Sequence, residues 1–217
     1  MTAIRSKWGD REARREDILT AARACLVEQG LQALNIRDIA RLAQLSPGTV
    51  YTYFASKEEL YATLYAERLE LLLEELRPVC DSAPDVETLF LGIARLYWPM
   101  YRLYGRELNV WSGLRRKEQE PTALELRLLN ASRNLFGPVF GAALRLSADP
   151  ALARLYHERA GEVMALCWIC LTGLAEHFSG DRPLLHGLSY EDTARLTIRT
   201  LMAGLQALAA TPVIVES

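Results

Sequence analysis

The longest uninterrupted apolar run in the 217-residue chain is nine residues, Val163 to Leu171. That is far short of the roughly 20 needed to cross a bilayer, so no membrane partner is expected. Cysteine is scarce: Cys25, Cys80, Cys167 and Cys170 are scattered, and a chain of this length buries a core without disulfides to hold it. The first fifteen residues hold five basic side chains and no hydrophobic stretch, which points to a cytoplasmic, reducing location. His157, His177 and His186 lack i, i+4 partners and zinc-spaced cysteines or carboxylates, so no metal site is expected. Nucleophile elbow, phosphate-cradling glycine loop and paired catalytic carboxylates are also missing. Glu118 and Glu120 fall in the charged run RRKEQE, which reads as a solvated turn. The chain is therefore expected to carry no catalytic residues and no cofactor, and not to be an enzyme.

Period-2 alternation is nearly absent, while apolar residues recur at helical spacing almost throughout, which predicts an all-α protein. Ile18, Ala21, Ala22, Cys25 and Leu26 form one stripe at i, i+3, i+4, i+7 and i+8, following a possible cap at Asp10 and ending at Gly30. Asn35 can cap a second, two-turn helix carrying Ile36, Ile39, Ala40 and Ala43. Ser46 followed by Pro47 opens a third, with Val50 and Phe54 as its inward pair. A Ser56/Glu59 capping box starts a long helix expected to stop at Arg77, before Pro78. Further helices are expected at about 85–103, 107–117, 122–146, 151–178 and 190–209.

Charge is unevenly placed. Residues 1–57 hold nine Lys plus Arg against six Asp plus Glu, a net +3, and the remainder holds 16 against 21, a net −5. A basic front end permits contact with nucleic acid. Two short helices joined by Gln44-Leu45-Ser46 have the layout of a helix-turn-helix. With Val50 and Phe54 inward, Pro47, Gly48, Thr49, Tyr51, Thr52 and Tyr53 face out, on a helix that fits a major groove about 12 Å wide. Gly48 lets the backbone approach closely, Thr49 offers a hydroxyl and a methyl, and Tyr51 and Tyr53 can donate to phosphates. Lys57 sits where the first turn of the fourth helix favours an anion, and Arg37 projects from the outer side of the second helix. Asn35 and Ser46 complete the expected DNA-binding set, with Arg5, Lys7, Arg11, Arg14 and Arg15 as a basic arm.

The stretch IRDIARLAQLSPGTVYTYFASKEEL, residues 36–60, resembles the DNA-binding signature of the TetR family of one-component transcriptional regulators. The resemblance extends over about residues 11–65 and rests on RDIA, SPGT, YxYF and SKEEL at these spacings. It implies a homodimeric, all-helical repressor: an N-terminal helix-turn-helix domain, residues 1–56, binds operator DNA, and a larger C-terminal domain, residues 57–217, binds a small molecule that releases it. Two positions depart from the family pattern. Gln44 stands where glycine is usual, at a cost of about 1 kcal/mol if φ is positive there. Leu34 stands where a hydroxyl residue is common, so Asn35 alone must cap.

In the body, the helices near 151–178 and 190–209 are apolar around most of their circumference. One face suits the core. The other, with Ala165, Cys170, Gly173, Ala203, Gly204 and Ala207, suits a partner copy in a four-helix bundle. Phe90, Tyr97, Trp98, Tyr101, Tyr104, Trp111, Phe136, Phe140 and Trp168 concentrate aromatic rings there, as a pocket for a largely apolar effector requires, with Tyr104 and Asn109 as polar contacts. The effector is expected to act by changing the angle of the fourth helix. Cys167-Trp168-Ile169-Cys170 is a CxxC, but inside the most apolar helix it reads as two core cysteines. The alternatives are a constitutive regulator and a redox-controlled one.

Overall fold

The structure, a computed structural model, describes residues 7–105, 114 and 120–211, without the side chains of 7–10 and 32. Among these residues there are α-helices and one 3₁₀ turn and no strands, which makes the protein all-α. The helices are α1 (Lys7–Ala33), α2 (Ile36–Leu42), α3 (Pro47–Tyr53), α4 (Lys57–Ser82), α5 (Val86–Tyr104), α6 (Ala123–Asn134), α7 (Phe136–Leu146), α8 (Pro150–Glu158), α9 (Ala160–Phe178) and α10 (Tyr190–Ala210). The helix expected at 107–117 lies outside the described residues apart from Leu114, and Asn109 and Trp111 lie outside them altogether.

The chain divides into two compact units. The first comprises 1–68 and 103–130, and the second 69–102 and 131–217. The division gives the start of α4 and the end of α5 to the first unit.

In the first unit Ile18, Leu19, Ala22 and Leu26 of α1 are fully buried with Ile39 of α2, Val50 of α3, Phe54 and Leu60. The expected stripe is thus the core face. Helix α1 starts earlier than expected, at Lys7, and its helical path breaks at Gly30 (φ 76, ψ 171), where the stripe was expected to stop, before a last turn to Ala33. Glycine meets no steric penalty at that φ, so the break costs little. Tyr61, Tyr65 and Tyr104 gather at the far side of the unit: Tyr65 meets Tyr104 edge-on at 6.0 Å, and the Tyr61 hydroxyl donates to the Tyr104 carbonyl. Glu67 is half-buried, and desolvation holds its carboxyl above the ordinary range although Arg23 lies 3.7 Å away.

Gln44 adopts φ 55, the left-handed conformation expected at the turn. Its Cβ is strained there, and glycine would remove the clash. Gln44→Gly is expected to stabilise the first unit by about 0.5–1 kcal/mol, less than the full strain because glycine also loosens the unfolded chain. Thermal denaturation of the two proteins measures this, and a drop in melting temperature would show that the Gln44 side chain contributes contacts outweighing the strain.

In the second unit Leu91, Ala94, Phe178, Tyr190, Ala194 and Ile198 form a buried cluster of α5, α9 and α10. Trp98 stacks on Tyr190 at 4.1 Å, and the Tyr190 hydroxyl donates to the Ala94 carbonyl at 2.8 Å. Helix α4 does not stop at Arg77; it continues through Pro78 to Ser82. Burial of Leu76 and Cys80 on either side offsets the hydrogen bond that proline removes, and the Arg145 guanidinium donates to the Cys80 carbonyl. The helix expected over 122–146 is two helices, because Pro138 cannot donate to the carbonyl of Asn134, where α6 ends. The helix expected over 151–178 also divides, at Arg159 (φ −123, ψ 35), where no proline marks the break.

Candidate nucleic-acid interface and apolar cavity

Each short helix of the first unit is fixed at its start by its own side chains. The Asn35 Oδ1 accepts from the Asp38 amide at 2.9 Å, while its Nδ2 donates to the Ala33 carbonyl at 3.1 Å and to Asp38 Oδ2 at 2.6 Å. Both ends of the Asn35 amide are therefore engaged in capping α2. The Asn35 hydrogen bond, reinforced by Arg41, keeps the Asp38 carboxyl below its ordinary range. At α3 the Ser46 Oγ accepts from the Thr49 amide at 3.0 Å, with Pro47 in the first turn. At α4 the Ser56 Oγ accepts from the Glu59 amide at 3.0 Å, the first half of the expected capping box, while Glu59 Oε2 accepts from the amide of Ala55 at 2.7 Å, one residue before the expected Ser56 amide.

With these caps set, Val50 and Phe54 turn inward and the rest of α3 is presented outward. Pro47, Gly48, Tyr51 and Thr52 are exposed, and Thr49 and Tyr53 are half-buried. Arg37 on α2 is exposed and Lys57 opens α4 half-buried. Arg15 of the basic arm lies 5.1 Å over the Phe54 ring. The side chains of Arg5 and Lys7 are outside the description.

The second unit encloses a small apolar cavity of about 40 Å³. Its wall is made by Leu72 and Leu76 of α4, Phe90, Ile93 and Tyr97 of α5, Leu135, Phe136 and Val139 around the start of α7, and Met164, Cys167, Trp168 and Leu171 of α9. No charged side chain is among them. Four expected residues, Phe90, Tyr97, Phe136 and Trp168, come together here, with Trp168 edge-on to Tyr97 at 5.1 Å and to Phe136 at 5.9 Å. The other described ones have different neighbours. Trp98 packs on the buried cluster, the Tyr101 hydroxyl donates to Glu176 at 3.4 Å, Phe140 faces Tyr156, and Tyr104 belongs to the first unit. Sequence reasoning missed the aliphatic wall. Its helical spacing was visible, but it is the same spacing that any core residue shows.

Cys167 and Cys170 sit on one helix but face different surfaces. Cys167 lines the cavity, whereas Cys170 lines an outer groove with Leu166, Leu196, Thr197, Thr200, Leu201, Gly204, Leu205 and Leu208. Both are free thiols. Burial, with Cys170 adding to it, pushes the Cys167 thiol up to about 11, and burial also raises Cys170. Around the groove Ile169 and Leu196 are each 66% exposed, and Ala165, Gly173, Ala203, Gly204 and Ala207 are exposed as well. Among the described residues no group of three metal-ligating side chains occurs, and no helix is long and apolar enough to cross a membrane.

The order α1, α2, α3, with the left-handed turn at Gln44 between the two short helices, is a helix-turn-helix. Residues 18–64 match the sequence profile of bacterial regulatory proteins, tetR family. The transcriptional repressor KstR2 of Mycobacterium tuberculosis is 39% identical over 77 residues, 36% of this chain and 38% of the relative. The nicotine-responsive transcriptional repressor HdnoR of Paenarthrobacter nicotinovorans is 29% identical over 97 residues, 45% and 49% of the two chains. These matches span less than half the length of either relative. The transcriptional regulator FadR of Bacillus subtilis, solved in complex with stearoyl-CoA, superposes with a TM-score of 0.55 over 87% of this chain and 98% of that one. At 14% identity that likeness shows the fold alone. The likeness to the TetR family of transcriptional regulators is thus carried by residues 18–64, the segment of the two short helices.

Proposed function

We propose that the protein is a ligand-responsive transcriptional repressor, not an enzyme, that binds palindromic operator DNA as a homodimer and is released by a small, largely apolar effector. The observation that carries the reading is the outward face of α3, which its own fold leaves exposed beside Arg37 and Lys57. The repressors KstR2 and HdnoR, similar over 77 and 97 residues, support the regulatory role. The uncharged wall of the cavity supports an apolar effector, and the complex of FadR with stearoyl-CoA is a precedent for one in this fold. Leu72 and Leu76 of that wall share helix α4 with Lys57, so an effector pressing on them acts on a helix that begins at the DNA-binding segment. The exposed apolar faces of α9 and α10 favour pairing with a second copy over life as a monomer. The raised Cys167 thiol counts against redox control.

Footprinting on the DNA upstream of the gene, together with sedimentation at micromolar concentration, tests the proposal. A dimer is expected to protect half-sites about 34–36 Å apart, or a multiple of that. Lys57→Ala is expected to weaken binding to every sequence and to flatten the salt dependence by about one unit. A monomer without a footprint would overturn the reading. An unchanged salt slope would remove Lys57 from the phosphate contacts.

A further inference from the structure

Helix α3 reads PGTVYTY. At 100° per residue, the direction opposite buried Val50 and Phe54 falls on Gly48, Thr49 and Thr52, with Tyr51 and Tyr53 on the flanks. This strip lies within the segment that matches the regulatory-protein family, so it is the part of the chain facing base edges when DNA is bound.

Its chemistry is unusual for a reading helix. Pro47–Tyr53 contains no Arg, Lys, Asn or Gln, so α3 has none of the side chains that form bidentate pairs with guanine or adenine. The hydroxyls are largely engaged within the protein. The Thr52 Oγ1 donates its proton to the Thr49 carbonyl at 2.6 Å. The Ser46 Oγ accepts from the Thr49 amide and shares a 2.8 Å hydrogen bond with Thr49 Oγ1, which leaves one free hydroxyl proton between those two residues. The two threonine methyl groups remain uncommitted. A Cβ at Gly48 would meet only Ser46 Oγ, at 3.7 Å, so nothing inside the protein requires glycine there. The missing side chain leaves room for a close approach from outside.

We infer that α3 reads its DNA site through the C5-methyl groups of thymines, with Thr49 and Thr52 as the specificity-determining residues and Gly48 as the point of closest approach. The inference rests on the DNA-binding reading above and adds the kind of base it selects. Tyr51 and Tyr53 then serve phosphates on either side. The half-site carries thymines opposite the two methyls, and guanine is not selected at those steps.

The full-length protein is used to select bound duplexes from a randomised library. Each thymine of the selected site is then replaced by deoxyuridine, which removes the C5-methyl and keeps the pairing face. Loss of one buried methyl contact corresponds to about fourfold in affinity, so one or two positions per half-site are expected to show a penalty of that order. Thr49→Ser or Thr52→Ser, which keeps the hydroxyl and deletes the methyl, is expected to abolish the penalty at its own thymine. Thr52→Val, which keeps the methyl, is expected to retain it. A site that binds equally well with deoxyuridine at every thymine overturns the inference while leaving the DNA-binding reading intact. So does selection of guanine at the steps facing α3, with preference lost in Arg37→Ala. A library from which no duplex is retained overturns both.

Discussion

Phe54→Ala is expected to destabilise the first unit by about 3–5 kcal/mol and to abolish DNA binding. The ring is 1% exposed, closes the core between α3 and α4 and lies under the Arg15 guanidinium. Truncation leaves a cavity that the caps at Ser46 and Ser56 prevent from collapsing, since both neighbouring helices are held at their starts by hydrogen bonds. Phe54→Leu keeps most of the volume and is expected to cost far less. Thermal denaturation paired with gel-shift titration checks both variants. A loss below about 1 kcal/mol for the alanine variant would mean that the site repacks, and that the pitch of α3 does not depend on this ring.

The second large effect is expected in the cavity. Leu72 is 2% exposed, and none of the residues sharing the wall is charged. Leu72→Glu places a carboxylate there without a counter-ion, a change expected to cost about 3–5 kcal/mol at neutral pH. The pH dependence has a definite sign. Burial raises the pKa of the new carboxyl in the folded state, so the ionisation penalty is present at neutral pH and falls away as pH drops toward the ordinary glutamate value of about 4.3. The deficit relative to the parent should therefore shrink on acidification, and Leu72→Met should show little deficit at any pH. A Leu72→Glu protein as stable as the parent at pH 7 would show that the cavity admits water, and with it a polar effector.

The helix-turn-helix was legible before any coordinates because its determinants are local. Asn35, Ser46-Pro47 and the Ser56/Glu59 box set helix starts through hydrogen bonds spanning three or four residues, and the inward pair Val50 and Phe54 follows from the helical repeat. The turn at Gln44 was signalled by the resemblance, in which glycine is usual there, and the residue does adopt φ 55. Asn35 shows the limit of that reading: its residue type suits a DNA contact as well as a cap, and only the three hydrogen bonds it makes within the chain show where its amide is engaged.

The second unit was legible as helices and much less so as a site. Aromatic density pointed to its interior, and Phe90, Tyr97, Phe136 and Trp168 do meet in one cavity. Yet Trp98 and Phe140, equally aromatic and on the same helices α5 and α7, turn to other neighbours. Helix breaks followed the same division. Pro138 ends α6 by withholding a local hydrogen bond, whereas Pro78 leaves α4 intact because burial of Leu76 and Cys80 outweighs the same local loss. Sequence by itself determined what depends on bonds between near neighbours: the caps, the periodicity and the outward strip of α3. Tertiary structure alone decided which apolar faces border a void and which border a packed core, because hydrophobic burial is non-directional and the same leucine or tryptophan serves either.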